Sequence, residues 1–306
     1  MTATATDAVA DTGTATDTVN ASAGARHRAK TRSRLRLAGR LFAAWVATLA
    51  FILPIYIALS SAFRTTQQTN ANPLGLPIPF TFNNIIDAFG RSDNLVTLGL
   101  LNSILVTGST LIIVIPLSSA LSFWIHGRGP RLKTFLLAVF ALGLMIPPQI
   151  TLIPLVQMLQ FFGLENSYPG LILADVGGGY LAFAVFVYTG FLRGVPTEII
   201  EAARVDGASE FRIWATIVFP LVRPATATVG IFVGLWTWND FLNPLIILGP
   251  LQGQTITTGI YISLGQVSSN YGQLFGVMLI AAIVPVVGYL LTQRQFISGL
   301  LAGSSK

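Results

Sequence analysis

Residues 41–63 carry no charged side chain. At 1.5 Å per residue, an uncharged run of this kind crosses about 30 Å of hydrocarbon as a helix. Further apolar runs follow near residues 98–125, 134–155, 171–192, 224–248 and 274–291. Backbone N–H and C=O groups find no water inside a bilayer, so such runs must be helical. The expected fold class is all-α: a polytopic membrane protein with six transmembrane helices. Composition agrees, since 53% of the chain is hydrophobic and only 10% charged. A soluble domain would carry about 25% charged residues.

Lys and Arg are unevenly placed. The amino tail holds seven, the 2/3 loop three, the 4/5 loop four and the carboxyl tail two, against two in the 1/2 loop and none in the 3/4 and 5/6 loops. By the positive-inside rule both termini and the 4/5 loop are expected to be cytoplasmic. The basic charge therefore reports orientation, and no nucleic-acid partner is expected. Residues 1–36 are expected to form a disordered, Arg-rich cytoplasmic tail, with the transmembrane domain over 37–306. Residues 1–25 are mainly Ala, Thr, Asp and Ser, too poor in large apolar side chains to offset the entropy of ordering. The basic run that follows reads as an anchor at the cytoplasmic membrane surface.

Local signals mark irregularities within the spans. Pro147-Pro148 removes backbone donors and should kink or interrupt the third span. Asp175 and Gly177–Gly179 should make one end of the fourth irregular, and a short helix is expected near residues 85–89.

The longest polar interval on the basic side is Glu201-Ala-Ala-Arg-Val-Asp-Gly-Ala-Ser-Glu-Phe-Arg-Ile-Trp-Ala-Thr-Ile-Val-Phe-Pro220. Pro196 suits the first turn of a short helix, with Glu198 and Glu201 near its positive end. Gly207 can take the left-handed conformation that closes it. Ser209 is a candidate N-cap for a second helix, with Phe211, Trp214, Ile217 and Val218 on one face and Pro220 at its end. Two short helices around a small-residue tip make a knuckle suited to a cleft on a soluble partner.

No catalytic motif accompanies it. Walker-type Gly-x-x-x-x-Gly-Lys-Ser, Gly-x-Ser-x-Gly and His-Glu-x-x-His are absent. With zero Cys and only His27 and His126, neither a metal nor another cofactor is expected. Only Asp175 and Asp240 place charge within spans. Asp240 lies about 24 Å along its helix from Pro224. With Trp236, Trp238, Asn239 and Asn243 it makes an aromatic and polar group suited to a sugar, whose hydroxyls take hydrogen bonds and whose C–H faces stack on rings. The alternative is interfacial tryptophan with a helix-packing polar network.

The order Glu201-Ala202-Ala203, Gly207, Ile217, Pro220 resembles the EAA loop of bacterial ABC importer permeases, with Phe219 where that family usually has Leu. The segment Trp238-Asn239-Asp240-Phe241-Leu242 with Pro244, Asn102-Ser103, Pro147-Pro148 and the tail Gln293–Gly303 are similar to the maltose-type carbohydrate permeases, although Leu301 stands where Thr is common. The resemblance covers the chain from about residue 41 onward. It implies a six-span subunit that pairs with a second, different permease, two ATP-hydrolysing subunits and an extracytoplasmic solute-binding protein, with a sugar as substrate. It also implies that Glu201, Ala202, Ala203, Arg204, Asp206 and Gly207 couple to the ATPase. Two other readings share parts of this evidence: an ABC permease for a non-carbohydrate solute, and a polytopic membrane enzyme using Asp175 and Asp240 on lipid.

Overall fold

The computed structural model describes residues 12–91, 94–249, 253–266 and 271–304, and every regular element among them is helical. The chain divides into two compact units, one ending at Ala58 and one beginning at Leu59. Helix α1 (Thr12–Ala62) supplies the first unit. It starts well inside the stretch expected to be irregular. Ala, Arg, Lys and Leu between residues 21 and 43 are strong helix formers, and the apolar span they join gives them a helical turn to propagate from. The earliest residues of the expected tail, 1–11, lie outside the described residues.

In the second unit, α2 (Thr66–Ala71) and α3 (Asn83–Phe89) occupy the 1/2 loop, the latter where a short helix was expected. Arg64 is a buried organiser of this loop: its guanidinium donates to the carbonyls of Asn72 at 2.6 Å and of Gln68, closing the end of α2. The long α4 (Leu95–His126) follows. Its buried face includes Gly99, Ser103, Val106, Thr110, Val114, Ser118 and Ser122. These recur every three or four residues, and most are small. Lipid tails are as apolar as Leu, so helices in a bilayer associate through close packing and interhelical hydrogen bonds rather than by hiding apolar surface from water. The stripe does both: Ser122 Oγ donates to the Val185 carbonyl at 3.2 Å.

The third span is broken outright. Helices α5 (Pro130–Met145) and α6 (Pro148–Phe161) meet at 99°. Ile146 and Pro147 are both extended, as residues preceding proline prefer. The fourth span is α7 (Tyr168–Asp175), a widened π-turn over Val176–Tyr180, and α8 (Leu181–Leu192). Within the turn Gly178 and Gly179 leave helical geometry, and Gly179 has φ 118°, so the glycines mark irregular backbone as expected.

Helices α9 (Thr197–Val205) and α10 (Glu210–Ile213) form the polar hairpin. A second π-turn (Trp214–Val218) and α11 (Phe219–Leu221) lead to a 78° bend into α12 (Arg223–Asn239). The helical stretch ends at Leu221, one residue past the expected Pro220. An α-helix would direct its missing N–H toward the Thr216 carbonyl; the widened turn before it absorbs that defect, and the bend falls at Val222. The fifth span is also shorter than expected. It stops at Asn239, and α13 (Leu242–Ile247) is a separate element after an extended Asp240. Helices α14 (Ile256–Gln266) and α15 (Tyr271–Ser304) complete the chain.

Four helices are long and apolar enough to cross a membrane, and the two bent pairs raise the count to six, among the described residues. The largest core joins α4, α8, the hairpin and α12 through Val114, Tyr188, Ile213, Val218 and Val229. Tyr188 donates its hydroxyl to Thr226 Oγ1 at 2.9 Å inside it.

Candidate functional site

The hairpin is fixed at three points. Pro196 sits at the N-cap of α9 rather than within its first turn, with ψ 129° directing the chain into the helix. Gly207 has φ 80°, a conformation that costs most residues backbone strain. Around it the N–H groups of Asp206, Gly207 and Ala208 bond back to the carbonyls of Ala202, Arg204 and Ala203, closing α9. Ser209 then caps α10, its hydroxyl accepting the Arg212 N–H at 3.3 Å.

Across this turn Arg204 grips Glu210 in two parallel contacts, Nε to Oε1 at 2.7 Å and Nη2 to Oε2 at 3.1 Å. The hydrogen bonds from Arg204 hold the Glu210 carboxyl below the ordinary glutamate range, and accepting them raises the Arg204 value. Sequence reading placed Arg204 among the ATPase-coupling residues; its guanidinium pairs with Glu210 across the turn while its side chain stays 43% exposed.

The outer face of the hairpin is composed of Glu201, Ala202, Asp206, Gly207 and two large exposed apolar side chains, Val205 (88% exposed) and Phe211 (72%). Ala203 is buried against the body, together with Ile200. The expected inner face of the second helix changes register. Ile213 and Val218 are fully buried while Phe211 is exposed, because the π-turn places residues five apart on one side. Trp214 Nε1 donates to Ser119 Oγ at 3.2 Å and ties this segment to α4.

The second candidate region lies where α12 ends. Trp238 is buried and donates its indole N–H to the Ala281 carbonyl at 3.1 Å. Asn239 is exposed and closes its own helix through the Leu235 carbonyl at 2.8 Å. Asp240 Oδ1 accepts the backbone N–H groups of Leu242 (3.1 Å) and Asn243 (3.3 Å), so this carboxylate caps α13. Its carbonyl accepts Thr257 Oγ1 at 2.8 Å, and Asn243 Nδ2 donates to Oδ1 of buried Asp175 at 3.2 Å. Trp236 belongs to an aromatic group with Phe183 (4.7 Å between centroids), Phe232 (5.7 Å) and Tyr180 (5.9 Å).

Two of the five residues proposed from sequence line a common groove. Trp238 and Asn239 line a groove of about 1100 Å³ between α12, α4 and α15. Its walls are mostly apolar, with Thr107, Thr226, Thr257, Tyr289 and Arg223 supplying polar groups. Trp236, partly exposed, packs against Phe183 and Phe232, while Asp240 and Asn243 join the end of α12 to α13 and α7. Sequence reading missed the α4 and α15 contributions, because a groove wall made by distant helices leaves no local pattern. Among the described residues no group of three or more His, Cys, Asp or Glu side chains is placed to hold a metal.

Residues 112–295 match the family of binding-protein-dependent transport system inner membrane components. The chain belongs to this family. It is a membrane-embedded transport component, and the EAA-like hairpin and all of α12 fall within the matched segment. MelC of Bacillus subtilis (strain 168), a melibiose/raffinose/stachyose import permease protein, is 31% identical over 269 residues, covering 87% of this chain and 95% of MelC. NgcG of Streptomyces coelicolor, a diacetylchitobiose uptake system permease protein, is 32% identical over 83% of each chain. The crystal structure of a bacterial ABC transporter involved in import of the acidic polysaccharide alginate shares the fold, with TM-score 0.70 and 18% identity over 85% of this chain and 96% of the other.

Proposed function

We propose that this chain is one permease subunit of an ATP-driven importer for a sugar or oligosaccharide, contributing half of the translocation pathway. The carrying observation is its near full-length similarity to permeases named for melibiose, raffinose, stachyose and diacetylchitobiose uptake. An apolar groove with scattered hydroxyls, an amide and a tryptophan edge suits a solute that offers both C–H faces and hydroxyls. Trp238 and Asn239 shape this passage. Asp240 and Asn243 hold the end of α12 to α13 and α7, and Trp236 packs with the aromatic group beside it.

The hairpin is the coupling element. Glu201, Ala202, Asp206 and Gly207 present its outer face, Ala203 sets its seat, and Arg204 sets its shape. Its docking partner is an ATP-hydrolysing subunit, two of which serve a heterodimer of this chain and a second permease. Glu201 makes no ion pair among the described residues and is available to a basic side chain of that partner. A solute-binding protein delivers the sugar on the opposite face, and both termini are cytoplasmic.

The test is uptake of labelled oligosaccharides into vesicles that contain ATP, with and without an uncoupler. Uptake that follows internal ATP and survives uncoupling supports the reading. Loss of uptake on uncoupling at constant ATP, or transport only of non-carbohydrate solutes, overturns it.

A further inference from the structure

Three aromatic side chains connect the outer face of the hairpin to the groove: Phe211, Trp214 and Phe219. Phe211, on α10, is 72% exposed on that outer face. Phe219, on α11, lines the groove. Trp214 touches both, with ring centroids 5.4 Å from Phe211 and 5.8 Å from Phe219 and interplanar angles of 49° and 50°. Aromatic rings attract one another at such separations and tilts.

The backbone explains this placement. Phe211 and Trp214 are three residues apart, so one helical turn sets them side by side. Trp214 and Phe219 are five apart, which in a regular α-helix would turn them about 140° away from each other. The π-turn over Trp214–Val218 reduces that separation, and the Phe219 N–H bonds to the Trp214 carbonyl across it. The indole is fixed at a third point, since its N–H donates to Ser119 Oγ at 3.2 Å and Ser119 is buried on α4. Helix α4 in turn supplies Thr107 and Leu111 to the groove.

We propose that Trp214 is a positioning residue that carries a displacement of the hairpin into the groove, directly through Phe219 and through Ser119 on α4. The proposal rests on the reading of the hairpin as the ATPase-docking element. A subunit seated on the outer face bears on Phe211, whose ring is in contact with the indole. Close-packed side chains resist compression and exchange between discrete arrangements, so a shift at Phe211 moves the indole rather than being absorbed around it. The indole then moves Phe219, and its N–H draws Ser119 along or releases it. In both cases the groove wall changes when the hairpin moves.

The test uses the complete transporter reconstituted with its binding protein, and reads sugar taken up per ATP hydrolysed alongside co-purification of the ATPase subunits. Trp214→Leu removes both ring contacts and the N–H. It should lower uptake per ATP by about fivefold, the scale on which residues between coupled sites act, with co-purification unchanged. Phe219→Leu should lower the ratio too, and the Trp214→Leu, Phe219→Leu double variant should be no worse than Trp214→Leu alone, because both break the same link. Trp214→Phe keeps the ring contacts, so it and Ser119→Ala each break only the indole bond. Each should lower the ratio by about threefold, and the two together by no more than either one. This second pair decides the matter where the leucine variant fails to assemble. A purely structural tryptophan would reduce the yield of assembled transporter and leave uptake per ATP at the parent value. That result, or losses that multiply in the double variants, overturns the proposal and leaves the docking reading standing. A parent without ATP-dependent uptake overturns both.

Discussion

The side-chain amide of Asn243 donates to Oδ1 of Asp175 at 3.2 Å, joining α13 to the end of α7. The backbone N–H of Asn243 also donates to Asp240, so one residue connects both acidic side chains of the span region. Neither carboxylate forms an ion pair among the described residues.

Removing this bridge should therefore be costly. Asn243→Ala leaves Asp175 Oδ1 without its donor in a buried site, and we expect a loss of about 1–3 kcal/mol. Thermal unfolding of the purified subunit with its partners measures it. Asn243→Asp should be worse than Ala, because it replaces the donor with a third acceptor; equal melting of both variants and the parent would show that the bridge does not matter.

Asp240 acts through one oxygen that an amide can reproduce. Asp240→Asn keeps an acceptor for the N–H groups of Leu242 and Asn243, and most transport should survive. Asp240→Leu removes the cap of α13, costs about 0.5–2 kcal/mol by analogy with other caps and should cut uptake severely. Vesicle uptake at fixed expression decides between them, and a Leu variant with normal uptake would refute the supporting role.

At Gly207 an added Cβ meets no atom within 4 Å, so any penalty comes from the positive φ and not from a clash. Asn tolerates this region and a β-branched residue does not. Gly207→Val should lose coupled uptake, while Gly207→Asn should retain much of it. Both should insert in the membrane. ATPase co-purification and uptake are the two readouts.

The Arg204–Glu210 clasp is exposed, so its worth in the isolated subunit is about 0.2–1 kcal/mol. Its effect should appear in coupling: Arg204→Glu and Glu210→Arg singly should lower transport per ATP hydrolysed, and the double exchange should restore it. Because Glu210 is held below its ordinary range, the contribution of the clasp is complete above the unfolded-state glutamate value and fades as pH falls through the lower folded value. Coupling insensitive to all three variants would remove Arg204 from the positioning role.

Orientation has its own check. Reporters fused after Arg131 and Ser209 should read cytoplasmic, and those after Asn83 and Gln254 external. A reversal at Ser209 would separate the hairpin from the compartment that holds ATP.

The sequence by itself determined the six apolar runs, the hairpin and the irregular points. Each depends on local physics: uncharged length near residues 41–63, a left-handed glycine at 207, a hydroxyl cap at Ser209, and donors lost at Pro147 and Pro148. Tertiary structure decided what the polar residues do. Arg204 and Glu210 were both legible as charges, but their pairing required the Gly207 turn to bring α10 back alongside α9. Asp175 and Asn243 are distant in sequence and meet only because α7 and α13 pack together. The end of α12 at Asn239 was hidden by the apolar residues after it, which continue the hydropathy of a span while Asp240 turns its carboxylate to start a new helix. The groove belongs to the same class, since α4, α12 and α15 each contribute one wall and none encodes its neighbours. Hydropathy and backbone preference act over a few residues; the partner of a buried polar group is set by which helices pack together.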